Sequence, residues 1–431
     1  MPLLRMILTA INLVGVRFGG AGIGLLSQII LARLLPQADV GVIFLGMSAA
    51  AVISQAVTGG YPPLAMTSLP RYIALGRENL LWAFHAAFWR DSLVLSAVAA
   101  GLATIMVLAM PLETSIKTAI VFGCLSAPAA SLIRINSATA NSLRRFSLSY
   151  IPDFLYRPGL LLAYLLAAWS LGLGLSVASV LWAFVISNSI VALGQAWVIG
   201  KQGAIPPPFR TVRHNLAPLL RGRAGSLIIV ATVAGSFADL VNMIGGFLLP
   251  PDDVAVLGIC IRLAALVGFI TQATQNFVLP DLAAALTSSN RGEVRALLLR
   301  INIVALAAIG TCIAGAMVAG PLVLRIFGSQ YEAGYWPLVL FMIGQGFRAA
   351  GGMNQHLLSI NGYQSKTAGS CLLAVLALAA MAALLAPRYG VMGMAIAAIA
   401  ADAIWALLLA FQARQHTGRR GDILALLRQN Q

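Results

Sequence analysis

Leu34-Leu35-Pro36-Gln37-Ala38-Asp39-Val40 returns as Leu248-Leu249-Pro250-Pro251-Asp252-Asp253-Val254, half the chain length further along. Self-similarity at that spacing is the signature of a duplicated architecture. Arg134 and Arg348 are separated by the same offset, as are Asn141 and Gln355, and Asn188 falls on Asp402. Each copy of the heptapeptide lies between two long apolar stretches, where proline ends one helix and lets the next begin.

Working outward from the repeat, apolar stretches of about 18 or more residues recur from end to end, each enough to cross a hydrocarbon core about 30 Å thick. The spans are predicted at 8–33, 40–62, 88–110, 115–137, 155–172, 175–199, 224–249, 254–279, 296–320, 336–359, 367–386 and 391–413. Apolar residues make up 60% of the chain and charged residues 10%, against about a quarter charged in a soluble domain. Water is therefore not the main solvent. The expected fold is an all-α membrane protein with about twelve transmembrane helices in two six-helix, pseudo-symmetric lobes. The N-terminal lobe covers 1–200 and the C-terminal lobe 224–413, joined by a basic cytoplasmic linker at 201–223 that contains Pro206-Pro207-Pro208. A basic cytoplasmic tail follows at 414–431. Two facing lobes would leave a central cavity, the usual place for a transport site.

The formal charge of +15 is read by position. Nineteen of the 28 Lys and Arg residues fall in loops after even-numbered spans or in the tail, including Arg71, Arg144, Arg145, Arg213 and Arg291. The positive-inside rule then puts both termini in the cytoplasm, with no nucleic-acid partner implied. The first apolar stretch is too long for the core of a signal peptide and runs into Arg33, so it is expected to stay as the first helix. Cys124, Cys260, Cys312 and Cys371 lie within spans without metal or redox spacing, and the scattered His85, His214, His356 and His416 form no metal set.

Four arginines stand where a membrane helix should carry none: Arg17, Arg134, Arg262 and Arg348. Each costs roughly 2.5–3.5 kcal/mol near mid-membrane on insertion scales, so such residues turn away from lipid. Their helical neighbours include Gln28, Asn141, Gln272, Asn276 and Gln355, which support an inward polar stripe on each helix. The acids well inside spans are Asp239 and Asp402, candidates for ion coupling or for pairing with an arginine. Guanidinium groups bind phosphate bidentately and keep their charge, so this set favours a fixed anion over a drug cation. The alternative is that some of the arginines are structural, paired with those acids or reaching an interface. Gly19-Gly20-Ala21-Gly22-Ile23-Gly24 lies mid-span without the strand a nucleotide loop needs, and reads as a close helix contact.

Ser27-Gln28-Ile29-Ile30-Leu31-Ala32-Arg33-Leu34-Leu35-Pro36, then Asp39-Val40-Gly41, and Arg71-Tyr72-Ile73-Ala74 after the second span resemble the polysaccharide transporters. These are oligosaccharide-lipid flippases of the multidrug/oligosaccharidyl-lipid/polysaccharide exporter (MOP) superfamily, with a MATE-like fold. The segments Asn141 to Phe146 and Ser359 to Tyr363 resemble the family's connections after the fourth and tenth helices. The resemblance implies two lobes rocking around a cationic cavity that takes the headgroup of an isoprenoid-pyrophosphate-linked sugar while the tail stays in lipid, with Gln28, Asn141, Gln272, Asn276 and Gln355 as sugar contacts. It implies translocation from the cytoplasmic to the periplasmic leaflet of a bacterial inner membrane, for O-antigen, capsule or exopolysaccharide synthesis. The partners it implies are the lipid-linked oligosaccharide, membrane lipids and other polysaccharide-assembly proteins. No catalysis, cofactor or metal is called for, and coupling to a proton or sodium gradient through Asp239 or Asp402 is compatible but not required. The alternatives are a MATE-like drug or small-solute antiporter, which predicts a cavity dominated by acids, and a membrane glycosyltransferase or polymerase, which predicts a large periplasmic loop.

Overall fold

The computed structural model describes residues 2–109, 111, 113–202, 224–287, 291–418 and 420–423. Among these the regular elements are helical: α1 (Pro2–Leu34), α2 (Gln37–Val57), α3 (Tyr61–Ala74), α4 (Glu78–Ala109), α5 (Thr114–Ser142), α6 (Phe146–Ile151), α7 (Arg157–Ser170) and α8 (Val177–Gln202). They continue as α9 (Ala224–Leu248), α10 (Pro251–Thr287), α11 (Arg291–Phe327), α12 (Tyr335–Ala350), α13 (Asn354–Ile360) and α14 (Gln364–Thr417). Nine of the described helices are long and apolar enough to cross a membrane. The protein is an all-α, multi-pass membrane protein. The predicted linker prolines and Arg210, Arg213, Arg221 and Arg223 lie outside the described residues.

The predicted spans fall on these helices with four differences. The second span is broken at Gly59 and Gly60, both at positive φ (60° and 75°), and α3 continues beyond it. The fifth is α6 and α7 joined by a π-turn over Pro152–Tyr156, where Pro152 lacks the N–H for a regular turn and the Arg157 N–H bonds back to the Pro152 carbonyl. The tenth breaks at Gly351-Gly352 into α12 and α13. The last two share one element of 54 residues, α14, turned at Gly390 (φ 56°, ψ −136°) just after Pro387. In each case the hydropathy continues while a glycine or proline changes the backbone path.

The chain divides into two compact units, Met1–Thr232 and Val233–Gln431. In the first, α5 is the hub and packs on α2, α4 and α8; in the second, α12 holds the corresponding place among α10, α11 and α14. The duplication seen in the sequence is thus a duplication of packing. Small residues set a close crossing: a Cβ on Gly123 of α5 would stand 2.7 Å from the Ala49 Cβ and 3.0 Å from the Gly46 carbonyl oxygen of α2. Without a hydrophobic drive between helices in lipid, such close backbone approach supplies the attraction. α14 follows the same logic, with Ala374, Ala382, Ala395 and Ala398 inward and Leu384 and Leu407 outward, both about two-thirds exposed to the apolar solvent.

Several buried polar groups of the first unit pair with one another, as burial in an apolar medium favours. His85 Nδ1 and the Tyr61 hydroxyl both meet the Thr139 hydroxyl, at 2.8 and 2.7 Å, within the cluster of Phe84, Phe88 and Leu81. Trp89 donates to the Asn136 side-chain oxygen at 2.9 Å.

In the second unit the chain folds back on itself after α14. Gly418, at φ 64°, caps the helix, and the following residues dock against the break between α12 and α13. The Gly421 N–H donates to Asn354 Oδ1 at 2.7 Å, its carbonyl accepts from Asn302 Nδ2 at 2.8 Å, and Arg420 clamps the buried Asp422 carboxylate at 2.7 and 2.8 Å. Gly352 sits beneath at φ 60°, where an added Cβ would collide with the Gly421 carbonyl. Gly352→Ala is therefore expected to cost about 1–3 kcal/mol through strain at a positive φ and to free the tail. A lower thermal midpoint of the detergent-purified protein, with faster tryptic cleavage after Arg420, checks this.

Candidate functional site

The structure gives the four predicted arginines different surroundings. Arg17 lies midway along α1, half-buried, with its Cζ 4.8 Å from the ring centroid of Tyr150 and 5.6 Å from that of Phe154. Both rings belong to the α6–π-turn segment. That segment can approach so closely because Gly20 faces it: a Cβ there would strike the Phe154 carbonyl. Ser27 secures the same packing, its hydroxyl bonded to the Ile23 carbonyl at 2.9 Å and reaching the Pro158 carbonyl at 3.4 Å. Among the described residues no carboxylate pairs with Arg17.

Arg134, on α5, is also half-buried and donates from Nε to the Ser54 hydroxyl of α2 at 3.3 Å. Arg262, on α10, donates from Nη1 to the Gly258 carbonyl one turn earlier at 3.1 Å, and the Asp239 charge on α9 acts on it. Arg348, on α12, is the most enclosed by named partners. Its Nε lies 3.4 Å from Asp402 Oδ1, and its Cζ stands 4.6 Å from the Trp405 ring centroid and 5.0 Å from that of Phe237. The 3.4 Å separation makes this an ion pair more than a well-formed hydrogen bond. Gly344 opens the space, since a Cβ there would sit 3.0 Å from Asp402 Oδ2.

The predicted sugar contacts are dispersed. Gln28 is half-buried on α1 and its Oε1 is buried without a hydrogen-bond partner. Asn141 and Gln355 are half-buried near the ends of their spans, on α5 and α13, and Gln272 is exposed on α10. The side chain of Asn276 lies outside the described residues. Within the first unit, Arg17 meets the rings of the α6–π-turn segment while Arg134 meets α2. Within the second, Asp239 acts on Arg262, and Asp402 pairs with Arg348.

Sequence reasoning missed Tyr150, Phe154, Phe237, Ser54 and the role of Trp405. Some of these carried a signal. Tyr150 and Phe154 stand four apart around Pro152, and Trp405 follows Asp402 by three on one helical face. What they meet is tertiary: the cation over the aromatic pair comes from α1, with four helices intervening in the chain.

Neither a protein-family model nor a curated protein matches the chain by sequence. Solved structures do match by shape. An inward-facing multidrug resistance MATE family transporter of the MOP superfamily superposes with a TM-score of 0.71 at 17% identity, covering 95% of this chain and 96% of that one. The lipid II flippase MurJ, in an inward closed conformation, superposes with a TM-score of 0.72 at 14% identity, covering 94% and 87%. An outward-facing MATE family transporter of the MOP superfamily gives 0.62 at 16% identity, covering 96% of both chains. The fold matches that of these MATE transporters and of MurJ. These neighbours are transporters and a flippase, and their low identity carries the fold alone to this chain.

Proposed function

We propose that the protein is a flippase moving an undecaprenyl-pyrophosphate-linked oligosaccharide from the cytoplasmic to the periplasmic leaflet of a bacterial inner membrane, by alternating access around cationic groups. The observation that carries this reading is Arg17: a guanidinium near the start of the candidate membrane span Gly15–Leu34, resting on two aromatic faces, with no carboxylate partner among the described residues. Such a group is expensive to insert, and an anion entering from the membrane would offset that cost. Arg134 and Arg262 are the further cations of this reading, with Arg348 held by Asp402, and Gln28, Asn141, Gln272, Asn276 and Gln355 are the groups for sugar. The likeness to a lipid II flippase supports a lipid-linked cargo. In this reading both termini face the cytoplasm, the product feeds O-antigen, capsule or exopolysaccharide synthesis, and the assembly proteins of that route are the partners. Coupling to protons or sodium would run through Asp239 or Asp402.

The MATE neighbours favour a second reading, a drug or small-solute antiporter. It calls for acids open to a cation, and Asp402 is instead turned to Arg348. Proteoliposomes separate the two. Purified protein should speed transbilayer movement of a fluorescent undecaprenyl-pyrophosphate oligosaccharide at least about tenfold over empty vesicles, with no effect on a phosphocholine lipid. Cation-dye efflux without lipid movement would replace the flippase by the antiporter.

A further inference from the structure

A guanidinium has two faces and one edge, and the two bind different things. Its faces stack on aromatic rings, and its edge carries five N–H donors arranged to meet carboxylate or phosphate. Arg348 has both kinds of neighbour, with its Cζ 5.0 Å from the Phe237 ring centroid and 4.6 Å from that of Trp405, and Asp402 toward Nε. Arg17 has rings alone. Tyr150 and Phe154 hold it within about 6 Å, the range in which the ring quadrupole attracts a cation, and no hydrogen bond or ion pair reaches its edge among the described residues.

The segment that brings the rings there is itself unusual. Tyr150 and Phe154 lie 6.0 Å apart between centroids, with ring planes 36° from parallel. Phe154 lies in the π-turn, whose extra residue per turn shifts the side-chain register relative to α6. Gly20 admits the turn's backbone to contact with α1. Sequence and backbone thus cooperate to place two rings beneath one cation, just ahead of that glycine on the same helix.

We propose that Tyr150 and Phe154 are positioning residues that hold the Arg17 guanidinium by its face, so that its N–H edge is presented, pre-oriented, to the pyrophosphate of the lipid cargo. The proposal rests on the flippase reading above and adds the device that orients its anion-binding group. Fixing the long side chain before the anion arrives removes part of the rotamer entropy that binding would otherwise cost. Ring faces do this without neutralising the charge, as a carboxylate would.

The test is a double-mutant cycle on the full-length protein in nanodiscs, with undecaprenyl pyrophosphate as the probe and its dissociation constant as the readout. Tyr150→Leu with Phe154→Leu should weaken binding about tenfold, on the scale of two cation–π contacts. Tyr150→Phe with Phe154→Tyr keeps both rings and should bind within about twofold of the parent. In an Arg17→Ala background the leucine pair should have no further effect. Loss of the same size in that background would mean that the rings act through packing alone and would overturn the proposal, as would full affinity in the leucine pair. If the leucine pair fails to fold, Phe154→Leu alone runs the same cycle. A parent protein that binds no undecaprenyl pyrophosphate overturns the flippase reading together with this one. A parent that binds it, with Arg17→Ala defective and the ring variants normal, overturns the positioning role only.

Discussion

Asp402→Ala is expected to destabilise the protein by about 3–5 kcal/mol, the usual consequence of leaving one member of a buried ion pair alone. The Asp402 side chain is 6% exposed and that of Arg348 27%, so neither end can recruit full hydration once the partner is gone. The Arg348 charge would remain against Trp405 and Phe237, whose rings offset part of the loss but cannot accept its N–H bonds. Arg348→Met combined with Asp402→Leu should recover most of the stability, because removing both charges also removes their desolvation. Thermal unfolding in one detergent, followed for the two single variants and the pair, measures the coupling directly. Additive effects would show that the two residues do not act on each other. The same double variant also reports on function. Because Arg348 is already engaged by Asp402, undecaprenyl pyrophosphate binding by the double variant is expected to stay within a fewfold of the parent, whereas a hundredfold loss would assign Arg348 to the cargo.

How far the sequence can be read follows from which physics each feature depends on. Hydropathy needs only composition, and the apolar stretches fall on helices among the described residues. The repeat of Leu34–Val40 at Leu248–Val254 is legible because the same helix–proline–helix punctuation is needed twice. The breaks are harder. Gly59-Gly60 and Gly351-Gly352 are visible as pairs, yet nothing local says that the chain turns at both instead of passing through, since glycine is tolerated in membrane helices. The π-turn at Pro152–Tyr156 depends on what it packs against, and Gly20 sits on α1, remote from Pro152 along the chain.

The candidate site divides in the same way. The expectation that Arg17, Arg134, Arg262 and Arg348 turn away from lipid follows from the cost of inserting charge and needs no structure. Which of them has an edge turned to a ligand depends on partners from other helices. The sequence leaves Asp402 open to two readings, ion coupling or pairing, and its position beside Arg348 cannot be read from a helix that is otherwise apolar. The packing of Trp405 against Phe237, 5.7 Å between centroids, is likewise a product of two helices, α9 and α14, that stand at opposite ends of the second unit's sequence.

Membrane potential supplies the other large effect. Guanidinium groups do not lose their protons, so in the flippase reading the arginines cannot release the anion by neutralising themselves, and release comes from the conformational change or from the field. A charge crossing the whole membrane gains about 2.3 kcal/mol per 100 mV, which is about fiftyfold in an equilibrium ratio at roughly 1.36 kcal/mol per factor of ten. An inside-negative potential drives a pyrophosphate headgroup outward. In proteoliposomes loaded with potassium and treated with valinomycin, the ratio of outer to inner lipid should therefore rise about fiftyfold per net charge moved at about 100 mV inside negative. Reversing the potassium gradient should reverse the bias. A cation counter-transported inward through Asp239 or Asp402 would add to the charge moved, so the slope of the logarithm of that ratio against potential counts cargo and coupling ion together. Repeating the measurement with the Asp239→Asn and Asp402→Asn variants then separates them: an unchanged slope in both leaves the anionic cargo as the whole of the moving charge. A ratio that ignores the potential, with lipid movement intact, would mean that the headgroup crosses neutralised and that no anion has been carried uncompensated.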